Sequence, residues 1–228
     1  AKLMVNKDET TSASGYESLL KYFSLSESST LEPIAHLDEE INEIARESEH
    51  TLRRAAVLLP ITRHQADYES RLVLTVRSEN LNSHAGQISL PGGTQEQQDQ
   101  DEVATALRET EEEIGLQAHH VEVIGRLGDL PLPSGFHVTP IVGVIESNLS
   151  FTPSPVEVAD IFQVPLKLVL DMTAYSHSTM TFNNKPRKIL ELHYEDYRIW
   201  GATAAILYHL AREISNTVGD VKASTGES

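Results

Sequence analysis

The sequence predicts an α/β protein of the α+β type, with a mixed β-sheet sandwiched between helices. Apolar strands are predicted both before and after one acidic amphipathic helix, which is typical of such a layered sheet. The chain has 228 residues, of which 39% are hydrophobic, and this suits one domain with extensions. We expect a partly helical N-terminal extension over 1–50, a main domain over 51–214 and a polar C-terminal tail over 215–228.

Four elements are predicted ahead of the acidic helix. Residues 1–14 are polar and rich in Ser and Thr, so we expect them to be frayed. Two short helices follow, then two apolar strands, the first ending near Pro60, and a loop over 78–90. The predicted bounds are Tyr16–Ser24 and Leu37–Glu49 for the helices, and Arg54–Thr62 and Arg71–Arg77 for the strands.

The residues after the acidic helix complete the predicted sheet. Two apolar strands flank a loop with two prolines over 130–135. The segment 156–162 is expected to turn into a short helix before Pro165. Two short strands then surround an acidic hairpin, and an alanine-rich helix ends the domain. The predicted bounds are Val121–Leu127, Val138–Ile145, Lys188–Leu192 and Tyr197–Trp200 for the strands, and Gly201–Ile214 for the helix.

The acidic helix, predicted from about Asp101 to Ile114, breaks local helix rules. Its carboxylates at 109, 112 and 113 share one face, where like charges cost about 0.2–0.5 kcal/mol per pair. Gly115 is the expected helix stop, so these acids also oppose the helix dipole near its C-terminus. The opposite face is apolar, with Val103, Leu107 and Ile114 at helical spacing. Such a face of acids is usually only solvated, but rules are also broken at functional sites.

Divalent cations offer a reason for clustering these acids. Mg²⁺ and Mn²⁺ prefer carboxylate oxygens and often bridge to substrate phosphates. An acidic patch alone would repel a phosphorylated substrate, whereas a bound cation reverses the sign of that interaction and can activate water. The residues therefore favour a site for Mg²⁺ or Mn²⁺ and a phosphorylated substrate.

The glycine turn and the acidic helix contain a motif of fixed spacing, formed by Gly93, Arg108, Glu109, Glu112, Glu113, Gly115 and Leu116. The motif resembles the Nudix box, commonly written G-x5-E-x7-R-E-U-x-E-E-x-G-U, where U is a bulky apolar residue. The resemblance implies the Nudix fold and a metal-dependent diphosphatase. It also implies that Glu109, Glu112, Glu113 and the Gly93 carbonyl hold the metal, that Arg108 supports catalysis by orienting a glutamate, and that a late acid, Glu157, aids as metal ligand or base.

Two positions depart from the Nudix box. Thr110 stands where a bulky apolar residue is usual. The spacing from the glycine to the arginine is one residue longer, and Gln100 falls where the early glutamate is expected. Three neighbouring acids can replace that glutamate: Asp99, Asp101 and Glu102.

A second motif precedes the first, from Leu74 to Gly93. It is similar to the motif of Nudix coenzyme A diphosphatases, with Asn82 in place of the second arginine and Leu90 in place of a phenylalanine. The resemblance implies cleavage of coenzyme A to 3′,5′-ADP and 4′-phosphopantetheine. The residues that it implies for substrate binding are Arg77, Ser78, Asn82, Gly86 and Gly92.

Two alternatives remain open at this stage. The first is a Nudix hydrolase of another substrate, such as ADP-ribose, a dinucleoside polyphosphate or a nucleotide sugar, since Asn82 removes a bidentate phosphate donor. The second is a non-catalytic Nudix module that binds a nucleotide. The three acids at the helix end argue against the second, because a silent domain has little reason to keep them.

Composition limits the classes of partner that the protein is expected to bind. The formal net charge of −16 argues against unaided binding to nucleic acid or to an anionic membrane. The chain has no cysteine, which excludes a disulfide framework and a Cys-type zinc site. No signal peptide is evident, so we expect a cytoplasmic protein that acts on a small diphosphate compound. The sequence leaves a homodimer open.

Overall fold

The structure is a computed structural model that describes the backbone of residues 7–25, 31–47, 53–79 and 86–224, and the side chains of 15–25, 31–47, 53–79 and 86–217. It has the expected α+β architecture. The helices are α1 Lys7–Leu25, α2 Glu39–Glu47, α3 Glu102–Ile114, α4 Leu166–Leu170 and α5 Gly201–Ser224. The strands are β1 Arg53–Thr62, β2 Arg71–Arg77, β3 Ile88–Ser89, β4 Gly92–Thr94, β5 Glu122–Arg126, β6 Leu130–Pro131, β7 Phe136–Ile145, β8 Val158–Pro165, β9 Tyr175–Phe182, β10 Lys185–Tyr194 and β11 Tyr197–Trp200.

The main sheet is mixed, as predicted. Its strand order is β3-β2-β1-β7-β5, and β4, β6 and β8 pair with β1, β7 and β2 respectively. The β1–β7 pair is parallel and spans all ten residues of both strands, while the other pairs are antiparallel. Strand β1 therefore lies at the centre, and its apolar run from Ala55 to Ile61 is covered on both faces.

Helices cover both faces of this sheet. Helix α3 packs on one face, where its Ala106 and Ile114 meet a cluster that includes Leu58 of β1 and Ile141 of β7. Helices α1, α4 and α5 cover the other face through a larger cluster that includes Leu19 and Leu207. The predicted sandwich is confirmed. No helix in the described segments is long and apolar enough to cross a membrane.

One predicted element is wrong, and its neighbours differ in extent. Segment 156–162 does not lead into a helix before Pro165; β8 occupies this part of the chain and pairs with β2 along its whole length. The alternating buried residues Phe162 and Val164 explain the strand, and α4 begins only after Pro165. Strand β9 was not predicted. Helix α5 continues beyond 214 to Ser224, and α1 begins at Lys7, within the segment expected to be frayed.

Candidate functional site

Helix α3 is capped at both ends, and its C-terminal cap is the predicted Gly115. The Asp101 side chain accepts a hydrogen bond from the Ala104 amide at 2.8 Å, which caps the N-terminus. Gly115 ends the helix in the left-handed region, with φ of 70°, and its amide donates to the Glu111 carbonyl. The last turn holds no basic residue. The acids at this end of the helix therefore face the unfavourable end of the dipole, as the sequence predicts.

Thr110 fits its unusual position because its hydroxyl is satisfied within the helix. The side chain is fully buried, and its Oγ1 donates to the Ala106 carbonyl at 2.6 Å. The methyl group still contributes apolar surface on the face that packs against the sheet. Threonine at this position thus leaves the register of the three glutamates unchanged.

Of the three acids that are candidates to replace the early glutamate of the motif, Asp99 is the one that pairs with Arg108. Its two carboxylate oxygens accept hydrogen bonds from Nε and Nη2 of Arg108, both at 2.9 Å. The other two candidates have different partners, since Asp101 caps α3 and Glu102 pairs with Arg54 at the surface. The arginine holds the pKa of the Asp99 carboxyl well below its usual range.

Arg108 links several parts of the site. Besides Asp99, its guanidinium donates to the Thr94 carbonyl at 3.0 Å and contacts Glu109 at 3.1 Å and Glu112 at 3.3 Å. The side chain is 20% exposed, and its pKa lies above the usual range because of the Asp99 hydrogen bonds. Arg108 thereby fixes two of the motif glutamates relative to strand β4.

Glu113 is the most buried of the three motif glutamates, Glu109, Glu112 and Glu113, which we call the carboxylate cluster. Its side chain is 5% exposed, and Oε2 accepts a hydrogen bond from the Gly92 amide at 3.0 Å. Burial raises the pKa of this carboxyl to about 7, against the opposing effects of the Gly92 amide and Arg77. The neighbouring acids Glu157 and Glu109 raise it further.

Glu109 lies directly against the glycine turn. A Cβ atom built on Gly93 would lie 2.5 Å from the carboxyl carbon of Glu109 and from its Oε2. Any other residue at position 93 would displace this carboxylate, so here glycine serves close approach as well as turn formation. Burial raises the pKa of Glu109, while Arg108 opposes that shift.

Glu112 differs from its two partners in being exposed. Its side chain is 57% exposed and contacts the site through Arg108. Described Asp, Glu and His side chains form no group of three that surrounds a common point at ligand distance. The oxygens of Glu113 and Glu109 are turned instead to the Gly92 amide and to Arg108. The donor set still fits a hard divalent cation: several carboxylates lie together, and the buried Glu113 bears an ionisation cost that a cation would offset.

The second motif, from Leu74 to Gly93, approaches the motif glutamates at the end of β2, where Arg77 lies near Glu113. The Arg77 guanidinium lies 4.0 Å from Glu113, and its buried Nε has no hydrogen-bond partner among the residues that the structure describes. The loop that follows is closed by the Gly86 amide, which donates to the Arg77 carbonyl at 3.0 Å. Gly86 has φ of 69°, a conformation that favours glycine. Asn82 lies outside the described residues.

Glu157 and Ser78 lie near Arg77, at the same end of β2. The buried Ser78 donates its amide to the Glu157 carbonyl at 2.8 Å, which ties the loop between β7 and β8 to the end of β2. The Ser154 amide in that loop donates to the Glu113 carbonyl. Glu157 is half-buried and close enough to raise the pKa of both Glu109 and Glu113. The fold thus assembles residues from four separate segments around Glu113.

One cavity of the described chain lies away from these residues. It measures about 510 Å³ and lies near Arg71, six residues and roughly 20 Å along β2 from Arg77. Its polar groups are engaged with one another, as when the Tyr68 hydroxyl donates to Gln163. We therefore place the candidate active site at the carboxylate cluster. The cavity is lined by Tyr68, Arg71, Phe162, Gln163, Tyr194, Glu195 and Tyr197.

Comparison with known proteins agrees with this geometry. The NUDIX domain family matches residues 51–169. The chain belongs to the Nudix family. The Nudix hydrolase NudL of Yersinia pestis (strain Pestoides F), described as uncharacterized, is 42% identical over 165 residues, which are 72% of this chain and 81% of that protein. The NudL protein of Yersinia pseudotuberculosis serotype O:1b (strain IP 31758) matches equally well.

A solved structure supports the fold. The Nudix hydrolase RenU of M. smegmatis superimposes with a TM-score of 0.50 and 21% identity, covering 73% of this chain and 88% of that one. The Nudix fold expected from the sequence is thereby confirmed. Family membership identifies the chain as a Nudix hydrolase, an enzyme that cleaves diphosphate linkages with a divalent metal ion. The alternative of a non-catalytic module is not supported.

Proposed function

We propose that this Nudix hydrolase cleaves the diphosphate linkage of coenzyme A or its derivatives, giving 3′,5′-ADP and 4′-phosphopantetheine. The observation that carries the proposal is the position of Arg77, whose guanidinium lies 4.0 Å from Glu113 and whose buried Nε finds no acceptor within the described part of the chain. A buried donor without an acceptor is costly, and a phosphate oxygen would satisfy it. The motif that resembles coenzyme A diphosphatases thus supplies a phosphate-binding group beside the carboxylates.

The carboxylate cluster is the proposed metal site. Glu109, Glu112, Glu113 and the Gly93 carbonyl would hold Mg²⁺ or Mn²⁺, which neutralises diphosphate charge and lowers the pKa of water. Arg108 holds Glu109 and Glu112 in place. Hydrolysis adds the oxygen of water to one phosphorus and breaks its bond to the bridging oxygen, which leaves on the other phosphate.

The proton of the attacking water must be accepted by an acidic residue of the same site. Glu113 and Glu157 are both candidates to accept the proton of the attacking water. Burial raises the pKa of Glu113 to about 7 in the metal-free protein, and a bound cation would favour its ionised form. Glu157 is less buried than Glu113. Ser78, Gly86 and Gly92 shape the loop that brings Arg77 to the diphosphate.

The proposal is tested by comparing substrates at matched concentrations with Mg²⁺ and with Mn²⁺. Coenzyme A, 3′-dephospho-coenzyme A, ADP-ribose, a dinucleoside polyphosphate and a nucleotide sugar form the panel, with products resolved by chromatography. We expect coenzyme A to have the highest kcat/KM by about tenfold or more. Faster turnover of ADP-ribose than of coenzyme A would overturn the proposal.

A second nucleoside diphosphate derivative stays in contention because Asn82 replaces the arginine of the motif. The Asn82→Arg variant tests this departure directly. If position 82 faces the 3′-phosphate, the arginine should lower KM for coenzyme A by about tenfold and leave KM for 3′-dephospho-coenzyme A unchanged. An equal effect on both substrates would contradict a contact with the 3′-phosphate.

A further inference from the structure

Strand β9 is an open sheet edge with an unusual composition. It spans Tyr175–Phe182, reads Tyr-Ser-His-Ser-Thr-Met-Thr-Phe and contains no Asp, Glu, Lys, Arg or Pro. In the described residues it pairs with β10 alone. Natural sheets usually protect an edge with charges, proline, bulges or short length. Strand β9 has eight residues, regular pairing and no charge, so its sequence does nothing to prevent strand addition.

The other edge strands of the described chain differ from β9. Strand β5 carries Glu122 and Arg126, β8 carries Asp160 and Pro165, and β11 carries Arg198. Strands β3, β4 and β6 have only two or three residues. The chain as a whole has a net charge of −16, so two copies repel each other over most of their surface. A charge-free strand adds no like-charge contact of its own where two copies approach in physiological salt.

The register of the hairpin shows which backbone groups face the open edge. Thr179 is paired with Lys188, and the Lys188 amide points away from β9 to donate to Asp38 at 3.1 Å. In an antiparallel ladder, such a residue belongs to a non-hydrogen-bonded pair, whose partner also directs its amide and carbonyl outward. The two-residue turn at Asn183 and Asn184, with φ of 51° and 57°, agrees with this register. The outward-facing residues are therefore Tyr175, His177, Thr179 and Thr181.

The hairpin is held firmly enough to act as a template. Arg187 of β10 is buried and forms ion pairs with Asp38 and Glu40 in the segment around the start of α2. That segment is attached to the main sheet, where the Ile34 amide donates to the Asp129 carbonyl at 2.9 Å. At the base of the hairpin, the Tyr175 hydroxyl donates to the Val169 carbonyl. The segment around the start of α2 thus contacts one side of the hairpin, and no described residue of the N-terminal extension pairs with the β9 edge.

We propose that β9 is a self-association surface, through which two copies of this chain form an antiparallel β9–β9′ pair. A register that places His177 opposite Thr179 of the second copy, and Tyr175 opposite its Thr181, uses all four outward-facing residues of both strands. It forms about eight backbone hydrogen bonds. The three-stranded sheets of the two copies then join into one continuous sheet about a twofold axis. The interface is small, and we expect a dimer that dissociates at roughly 10–100 µM.

Sedimentation velocity of the full chain, from about 1 to 300 µM in physiological salt, tests the proposal with two matched double variants. His177→Lys with Thr179→Lys places lysine opposite lysine across the twofold axis and should abolish the dimer. His177→Lys with Thr179→Glu places lysine opposite glutamate in both symmetric contacts and should retain it. Both positions are exposed and lie on the three-stranded sheet, whereas the carboxylates lie on α3 against the main sheet, so both variants should keep the wild-type Tm and hydrolase activity. A wild-type chain that stays monomeric at 300 µM, or double variants that dimerise equally or dissociate equally, would overturn the proposal.

Discussion

Asp99 and Arg108 form a bidentate ion pair in which two parallel hydrogen bonds of 2.9 Å join the carboxylate to the guanidinium. The Asp99 side chain is 4% exposed, so the pair is shielded from solvent on the acid side. Arg108 also contacts Glu109 and Glu112, the two acids that precede Glu113 on α3. The pair therefore connects the loop before α3 to the proposed metal ligands, although neither residue needs to touch the substrate.

The first prediction is that Asp99→Asn lowers both stability and turnover. The amide keeps one acceptor but loses the charge, so we expect a loss of about 1–3 kcal/mol in the free energy of unfolding. The kcat should fall about tenfold or more, because Arg108 no longer fixes the glutamates. Glu102→Gln is the matched control, since it removes the exposed Arg54 pair and should cost less than about 1 kcal/mol.

The Asp99→Asn substitution should also change how the free energy of unfolding depends on pH in the acidic range. The pKa of Asp99 is lowered in the folded protein, so its contribution is complete above the unfolded pKa of about 4 and is lost as pH falls further. Denaturant unfolding at pH 7 and at pH 3 measures this. The difference in stability between wild type and Asp99→Asn should narrow at pH 3. An unchanged difference would contradict an ionised pair.

The second prediction separates Glu112 from its neighbour on the helix. Glu112→Gln should lower kcat by about a hundredfold or more with the fold intact, because an exposed proposed metal ligand loses its charge. Glu111→Gln removes an exposed acid one residue away and should change kcat less than twofold. Steady-state kinetics at saturating Mg²⁺, with circular dichroism as a check of folding, compares the two. Near-wild-type turnover in Glu112→Gln would remove the assignment.

The third prediction concerns Glu113, whose pKa is raised to about 7. A carboxyl with a raised pKa binds its proton more tightly in the folded state. Without metal, stability should therefore fall as pH rises from about 4.5 to 7, by up to roughly 3 kcal/mol, and then level off. Unfolding in the presence of a chelator should show this slope in the wild type and a reduced slope in Glu113→Gln.

A bound divalent metal ion should offset the loss of stability that accompanies ionisation of Glu113. Mg²⁺ binds the ionised carboxylate, so the rise in Tm on adding Mg²⁺ should be larger at pH 8 than at pH 5.5. The Glu113→Gln variant should show a smaller rise at both values. A rise in wild-type Tm that does not depend on pH would argue against Glu113 as a ligand that must lose its proton.

The fourth prediction tests the contact between Gly93 and Glu109. In Gly93→Ala the new methyl group would lie 2.5 Å from the Glu109 carboxyl carbon, so the carboxylate must move. We expect kcat to fall about tenfold to a hundredfold, with a weaker response to Mg²⁺. Gly15→Ala, whose new methyl group meets Leu170 at an ordinary 3.6 Å, should leave kcat unchanged. Equal activity of both variants with wild type would contradict the close approach.

Periodicity and capping signals were sufficient for much of the fold. The pattern from Arg71 to Arg77 predicts β2 with its observed bounds, and the C-terminal end of α3 follows from Gly115. These features depend on interactions within a few residues. Segment 156–162 was misjudged because its identity as a strand depends on pairing with β2, about 85 residues earlier. Strand β9 was not predicted for a related reason. Its polar sequence is typical of a loop, and it forms a strand because it pairs with β10.

The sequence by itself determined the family motif, the helix that presents three glutamates and the chemistry that such acids favour, because helical spacing alone places them on one face. It left three acids as substitutes for the early glutamate, and it related the loop from Arg77 to Gly93 to the acids only through the family resemblance, with no contact assigned between Arg77 and Glu113. The tertiary structure decided both questions. Packing of α3 on the sheet turns Asp99 toward Arg108, and the end of β2 brings Arg77 to the buried Glu113. These contacts join distant segments, and their geometry is fixed only when the two sides of the sheet are packed together.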